Sequence, residues 1–264
     1  MDKILSSTKF VVENAKHVKI NEDKIKEFCK SIDHKHFKHW ISDAPFKLST
    51  LNEDDQLNFL LVFNSISFSY WGEPKWTIEY KGNKYDGSWA MIMALKRAID
   101  ENKPILSSKY FAEVKEGEFR QILRGNVIIP LFEERWKILR EVGAVLNKNY
   151  GGEFSNLFKA ANNDATNLLT LVIKNLPSFD DTSMYNGKKV FFYKRAQLLV
   201  DDIYQVFNGK NHGNLKNIDK ITACADYKLP QVLRKFGILS YSKELATKVD
   251  NKIEIAKGSE EEVE

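Results

Sequence analysis

Asp226 stands in the run ITACADYKLPQVLRKFGIL, residues 221–239, between a small apolar stretch and a segment with Leu229, Val232, Leu233 and Phe236 at i, i+3, i+4 and i+7. Pro230 suits a first helical turn and Gly237 a helix end, so the spacing predicts a helix against a core. Asp226 precedes it by about one turn, where a carboxylate can sit beside helix amides and out of bulk water. The plain alternative is a capping or loop aspartate.

A second group lies in VFFYKRAQLLVDDIYQVF, residues 190–207. On a helical wheel Leu199, Ile203 and Val206 define an apolar face, and Asp202 falls on its edge between Leu198 and Val206, close to the line through Arg195. A carboxylate there is paired or its pKa rises. Asp201 points to the opposite side and reads as a solvent residue. Lys194 and Arg195 occupy the helix start, unfavourable for cations unless an anion is near. A structural Arg195–Asp202 ion pair and a ligand site both fit this pattern.

His34, His36 and His39 form H-x-H-x-x-H, but Lys35 and Lys38 interleave and no Glu or Cys accompanies them at a metal spacing. A loop with one histidine entering a pocket fits better, and no metal is expected. Phe68, Tyr70, Trp71, Trp76 and Trp89 could wall a flat heterocycle or simply fill the core. There is no Walker loop, G-x-G-x-x-G, G-x-S-x-G or H-E-x-x-H, so triphosphate hydrolysis, dinucleotide redox chemistry and serine hydrolysis lack support.

The elements that must position these residues read as mainly α. One or two amphipathic helices are expected in the first thirty residues, and a buried helix in Leu57–Trp71. WTIEYKGNKYDGSW, with its Gly82-Asn83 turn, predicts a short β-hairpin. Helices are expected over Trp89–Ala98 and at about 108–124, 130–148 and 153–175. No repeat or Ser/Gly linker marks a domain boundary, so residues 1–264 read as a single domain. The acidic end, KGSEEEVE, is expected to be solvated or disordered.

With 264 residues, 43% hydrophobic and 12% aromatic, the chain can bury a substantial core. A net charge of +4 permits an anionic ligand without demanding nucleic acid. Cys29 and Cys224, without a paired motif, suit a reducing, cytoplasmic setting. No apolar run is long enough to span a bilayer, and MDKILSSTKF lacks a signal-peptide core.

The runs FYKRAQLLVDDIY, ITACADYKLPQVL, YDGSWAMIMALKRAIDENKPI and IPLFEERWKILREVG resemble those of the queuosine salvage family, the queuosine 5′-phosphate N-glycosidases. The similarity runs from about Leu57 to about Tyr241. It implies a mainly helical fold akin to helix-hairpin-helix DNA glycosylases, no cofactor, and hydrolysis of queuosine 5′-monophosphate to queuine and ribose 5-phosphate. It also implies that Asp226 is the catalytic carboxylate. Lys194 and Arg195 are then candidates to neutralise the 5′-phosphate or order Asp202, with Lys228 a further phosphate candidate. Tyr227, Trp71 and Phe68 would flank the base, with His39 as the histidine that meets it, and Trp89 and Ala225 are further substrate-binding candidates. Two departures stand out. Asn64 and Ser67 replace an Asp and an Asn of the family pattern. Family members also continue past the equivalent of Glu264 through helices with an L-D-x-x-L-W-like motif, so a pocket open on one side is expected.

Two other functions compete. A glycosylase-like nucleic-acid binder would cluster its lysines on one face, whereas Lys and Glu interleave here, as in EFCKSI and KEGEFR. A binding module that holds queuine or its nucleotide without hydrolysis would bind but release no base. The expected partner is a small molecule, with no stable nucleic-acid complex and no membrane.

Overall fold

The computed structural model describes residues 1–33, 35 and 37–264 and is mainly helical. In chain order come α1 (Asp2–Asn14), β1 (Val18–Ile20), α2 (Glu22–Ser31), α3 (Glu53–Ile66), β2 (Thr77–Tyr80), β3 (Asn83–Asp86) and α4 (Gly87–Asp100). Then follow α5 (Ser108–Glu113), α6 (Glu116–Ile122), α7 (Phe132–Asn149), α8 (Phe154–Ala160) and α9 (Ala165–Asn175). The remainder is β4 (Thr182–Tyr185), β5 (Lys188–Phe191), α10 (Lys194–Val206), α11 (Lys228–Lys235), β6 (Leu239–Tyr241), α12 (Lys243–Asp250) and α13 (Glu260–Val263).

The chain forms two compact units whose segments interleave. One holds Met1–Lys38, Asp181–Lys194 and Thr222–Glu264; the other holds His39–Asp180 and Arg195–Ile221. Because the chain passes back and forth, no single linker separates them, and composition offers nothing for a boundary search to find.

The larger unit is built on α3, whose Leu57, Phe59, Leu60, Leu61, Val62, Phe63 and Ile66 are all buried. A helix apolar on every side must be surrounded, and α4, α7 and α8 pack against it. Asn52 caps its start by accepting from the Asp55 N–H at 2.9 Å. The expected β2–β3 hairpin forms, with Tyr80 opposite Asn83. Its turn residues are therefore Lys81 and Gly82, both at positive φ as such two-residue turns require. The helices expected at 108–124 and 153–175 are each broken in two, into α5 and α6 and into α8 and α9. At the second break Asp164 caps α9 through the N–H groups of Thr166 and Asn167.

The smaller unit carries two antiparallel pairs, β1–β6 and β4–β5. Its core joins Val11 of α1, Tyr185 and Val190 of the β4–β5 hairpin and Val263 of α13. That hairpin turns at Asn186-Gly187, both at positive φ. Two sequence expectations are corrected here. KGSEEEVE is ordered: Ser259 caps α13, Val263 is buried, and the Glu264 carboxylate accepts from the N–H groups of Lys16, His17 and Val18 and from the Tyr185 hydroxyl. Helix α11 forms but not against a core, since Leu229, Val232 and Phe236 are 40%, 46% and 48% exposed. Phe236 meets Phe28 of α2, with ring centroids 4.5 Å apart.

Candidate active site

In the smaller unit the loop before α11 makes a tight double turn. The Asp226 N–H donates to the Cys224 carbonyl at 2.7 Å, and the Asp226 carboxylate accepts from the Lys228 N–H at 2.9 Å. The second contact is a local turn of the kind short Asp side chains make with their own backbone. The other carboxylate oxygen lies 2.8 Å from the Lys194 ammonium, and both side chains are largely shielded. Burial alone would raise the Asp226 pKa. The hydrogen bond and charge of Lys194 and the Lys228 N–H outweigh it and hold the group below the usual carboxylate value. The result is a fixed, ionised carboxylate at a shielded position. Lys194 therefore meets Asp226, not Asp202. Ala225, Tyr227 and Lys228 are exposed, and the Lys228 ammonium lies 5.4 Å from the Tyr227 ring centroid.

Lys194 opens α10, and the rest of that helix belongs to the larger unit. There Asp202 is fully buried. It accepts from Asn64 Nδ2 at 2.9 Å and Trp40 Nε1 at 3.2 Å, and His39 Nε2 stands 3.7 Å away. Desolvation raises its pKa to about 7, against the lowering effects of the Asn64 hydrogen bond and His39. The Arg195 guanidinium donates to the Ser65 carbonyl at 2.5 Å and to the Ser178 carbonyl, while Asn64 and Trp40 hold the Asp202 carboxyl.

Asp201 also departs from its expected place in solvent. It accepts from His39 Nε2 at 3.2 Å and from Gln205 at 3.3 Å. Burial opposes its ionisation, but the His39 and Gln205 hydrogen bonds prevail and its pKa is lowered. The segment from His39 packs along this side of α10, which no helical wheel can reveal.

The aromatic candidates separate. Trp89 lies 5.5 Å from Trp40, which lies 5.5 Å from Phe63, all as ring centroids. Phe68 is half-buried with the Arg135 and Arg195 guanidiniums 4.2 and 4.9 Å from its centroid. Trp76 is core, its N–H donating to the Leu123 carbonyl at 3.2 Å. Trp71 is 57% exposed. Three residues of the larger group escaped the sequence reading of chemistry: Trp40, Asn64 as an Asp202 donor, and Asp201. Only the adjacency of Trp40 to His39 hinted at the first. Of the H-x-H-x-x-H triplet, His34 and His36 lie outside the described residues. A cleft of about 980 Å³ in the larger unit, lined by Glu53, Asp55, Lys103, Lys109 and His212 among others, contains none of the predicted site residues.

A family model described as queuosine salvage protein matches residues 48–264. The queuosine 5′-phosphate N-glycosylase/hydrolase of Sphaerobacter thermophilus is 39% identical over 269 residues, covering 99% of this chain and 80% of that protein. The protein of the same name from Bos taurus is 37% identical, covering 100% of this chain and 81% of the relative. That from Schizosaccharomyces pombe is 32% identical, covering 92% and 75%.

Proposed function

The chain belongs to the queuosine salvage protein family, and from that premise we propose that it hydrolyses the N-glycosidic bond of queuosine 5′-monophosphate. The products are queuine, for reuse in tRNA modification, and ribose 5-phosphate. The observation that carries the reading is the shielded Asp226 carboxylate, held ionised by Lys194 and the Lys228 N–H.

Cleavage sends the electron pair of the C1′–N bond to the base and leaves positive charge on the ribose. A fixed carboxylate stabilises that charge without reorganising. Water then bonds to C1′ and gives up a proton, which Asp226 can accept or direct. Lys194 keeps Asp226 ionised and oriented. Lys228, at the same turn, is assigned to the 5′-phosphate, and Tyr227 and Ala225 to the sugar and base. The family resemblance further suggests His39, Asp202, Trp89, Phe68 and Trp71 as substrate-binding candidates. Arg195 keeps a supporting role, through its hydrogen bonds to the Ser65 and Ser178 carbonyls.

The reading extends to a kinship with helix-hairpin-helix DNA glycosylases, which apply comparable logic to a flipped base. It also extends to a cytoplasmic location, a small-molecule partner and no stable nucleic-acid complex. Cys29 and Cys224 as thiols agree with a reducing compartment. Among the described residues no helix is long and apolar enough to cross a membrane. The test is incubation with queuosine 5′-monophosphate and chromatographic analysis for free base. Catalytic release supports hydrolysis, whereas stoichiometric binding without release favours a carrier of the nucleotide.

A further inference from the structure

The ion pair between Lys194 and Asp226, 2.8 Å long, depends on how the chain enters α10. A lysine stem is too flexible to fix its own ammonium, and a helix start is an unfavourable place for a cation. A helical side chain leans toward the N-terminal end of its helix, so a first-turn lysine reaches back over the residues that lead in. Those residues are Phe192 and Tyr193, which join β5 to α10. The Tyr193 backbone is left-handed, with φ 52°, although its side chain is aromatic and buried. For a bulky residue that conformation is strained and persists only where the surroundings enforce it. Here the N–H groups of Phe192 and Tyr193 both donate to the Asp181 carbonyl, at 3.1 and 3.2 Å. Successive N–H groups converging on one oxygen form a backbone nest. The Tyr193 ring is held as well, its centroid 5.7 Å from that of Phe191. Asp181 directly precedes β4 and Phe191 ends β5, so the turn is anchored on the β4–β5 hairpin.

We infer that Tyr193 is a positioning residue for the Lys194–Asp226 pair: its left-handed backbone turns the chain from β5 into α10 at the angle that delivers the Lys194 ammonium to the Asp226 carboxylate. The role deepens the proposed function and rests on it, since Asp226 is the carboxylate of that reaction. All of these groups lie in the smaller unit. With φ in the ordinary negative range the chain would leave β5 in another direction and Lys194 would start the helix from a displaced Cα. Asp226 would then keep the Lys228 N–H but not the ammonium. The charged groups facing Asp226 are Lys194 and, from the same turn, Lys228. Loss of the first leaves burial less opposed, so the Asp226 pKa rises.

The test compares two substitutions that differ in backbone freedom. Tyr193→Gly loses the ring but accepts the left-handed region without cost, whereas Tyr193→Ile keeps apolar bulk and, being β-branched, resists it. The Asp226 carboxyl is titrated by ¹³C NMR of carboxyl-labelled protein, its signal identified as the one lost in Asp226→Asn. In Tyr193→Ile the Asp226 pKa should rise toward that of Lys194→Met, and kcat with queuosine 5′-monophosphate should fall by about tenfold. Tyr193→Gly should stay nearer to the wild type in both. Should Tyr193→Ile not fold, Tyr193→Ala, which differs from Tyr193→Gly by the Cβ alone, takes its place. A larger rise in Tyr193→Gly than in its partner would show that the ring acts by filling space, and would overturn the backbone role. An Asp226 pKa unchanged in both variants would overturn it too. In a Lys194→Met background Tyr193→Ile should add nothing to the Asp226 pKa. An equal rise there would mean that Tyr193 reaches Asp226 by another route, which overturns the link through Lys194. Absence of base release by the wild type would instead count against the proposed function, and the titration would still decide the positioning.

Discussion

At the scale of single residues, two aspartates on this chain have their pKa values shifted in opposite directions by their surroundings. Asp226 has a full cation and a backbone N–H on it, whereas Asp202 is buried and accepts from the uncharged side chains of Asn64 and Trp40. Asp226→Asn keeps the shape and removes the charge, so base release should fall on the order of a hundredfold or more with little change in melting temperature. Turnover equal to the wild type would move the chemistry elsewhere. Lys194→Met leaves burial as the dominant influence on Asp226, so its pKa rises and the acid limb of kcat/KM should shift to higher pH. An unmoved limb would mean that Lys194 acts on something else. For Asp202 the linkage runs the other way. Its folded pKa of about 7 exceeds the ordinary 3.8, so the stability it contributes is full below about pH 4 and is lost as pH rises through about 7. Asp202→Asn should flatten that decline, which is on the order of 2–4 kcal/mol, in chemical denaturation followed between pH 4 and 8. The sequence pointed to Asp226 and to a perturbed Asp202. It could not pair Asp226 with Lys194, because a contact across so long a stretch leaves no periodic trace.

Among the elements, those that follow a strong local period were legible, and those decided by packing were not. Helix α3 announces itself as an apolar block, and the β2–β3 hairpin as an alternating stretch around a glycine turn. The β4–β5 hairpin was legible too, since Asn186-Gly187 is the strongest short hairpin signal, but residues from 190 onward were read only as helix. Helix α11 shows the reverse case: its apolar period is real, yet the face it predicts is exposed. Gly143, in the middle of α7, was also silent in sequence. A Cβ there would stand 2.6 Å from the Ala112 nitrogen, 2.7 Å from Phe111 Cδ2 and 2.8 Å from Ala112 Cα, so the glycine lets α5 lie against α7. In an exposed helix Gly→Ala would stabilise by roughly 1 kcal/mol through backbone entropy. Gly143→Ala should instead destabilise by about 1–3 kcal/mol, the range for overpacking a close contact. A melting temperature at or above that of the wild type would show that α5 gives way without cost.

For the whole molecule, interleaving has an energetic consequence within the smaller unit. Its three segments are far apart in sequence, and its core draws Val11, Tyr185, Val190 and Val263 from all of them. Glu264 ties the same segments by polar contacts, at 3.0, 2.6 and 3.0 Å to the N–H groups of Lys16, His17 and Val18 and 2.7 Å to the Tyr185 hydroxyl. Burial opposes its ionisation, but the backbone N–H of Lys16, the Tyr185 hydroxyl and the other N–H groups hold its pKa down. The reading of KGSEEEVE as a solvated tail failed because composition records charge and not the donors that meet it. Truncating this side chain leaves those donors without their carboxylate, so Glu264→Ala should cost about 1–3 kcal/mol. Because α3 and α7 belong to the other unit, the loss should be local: faster amide hydrogen exchange in β1 and β4, with α3 and α7 unchanged. Lys194 and Asp226 sit in the loosened unit, so kcat should fall along with that protection, and Glu264→Gln, which keeps an acceptor oxygen, should recover part of both. Equal exchange across β1 in the two variants and the wild type would show that the apolar cluster alone holds the segments together.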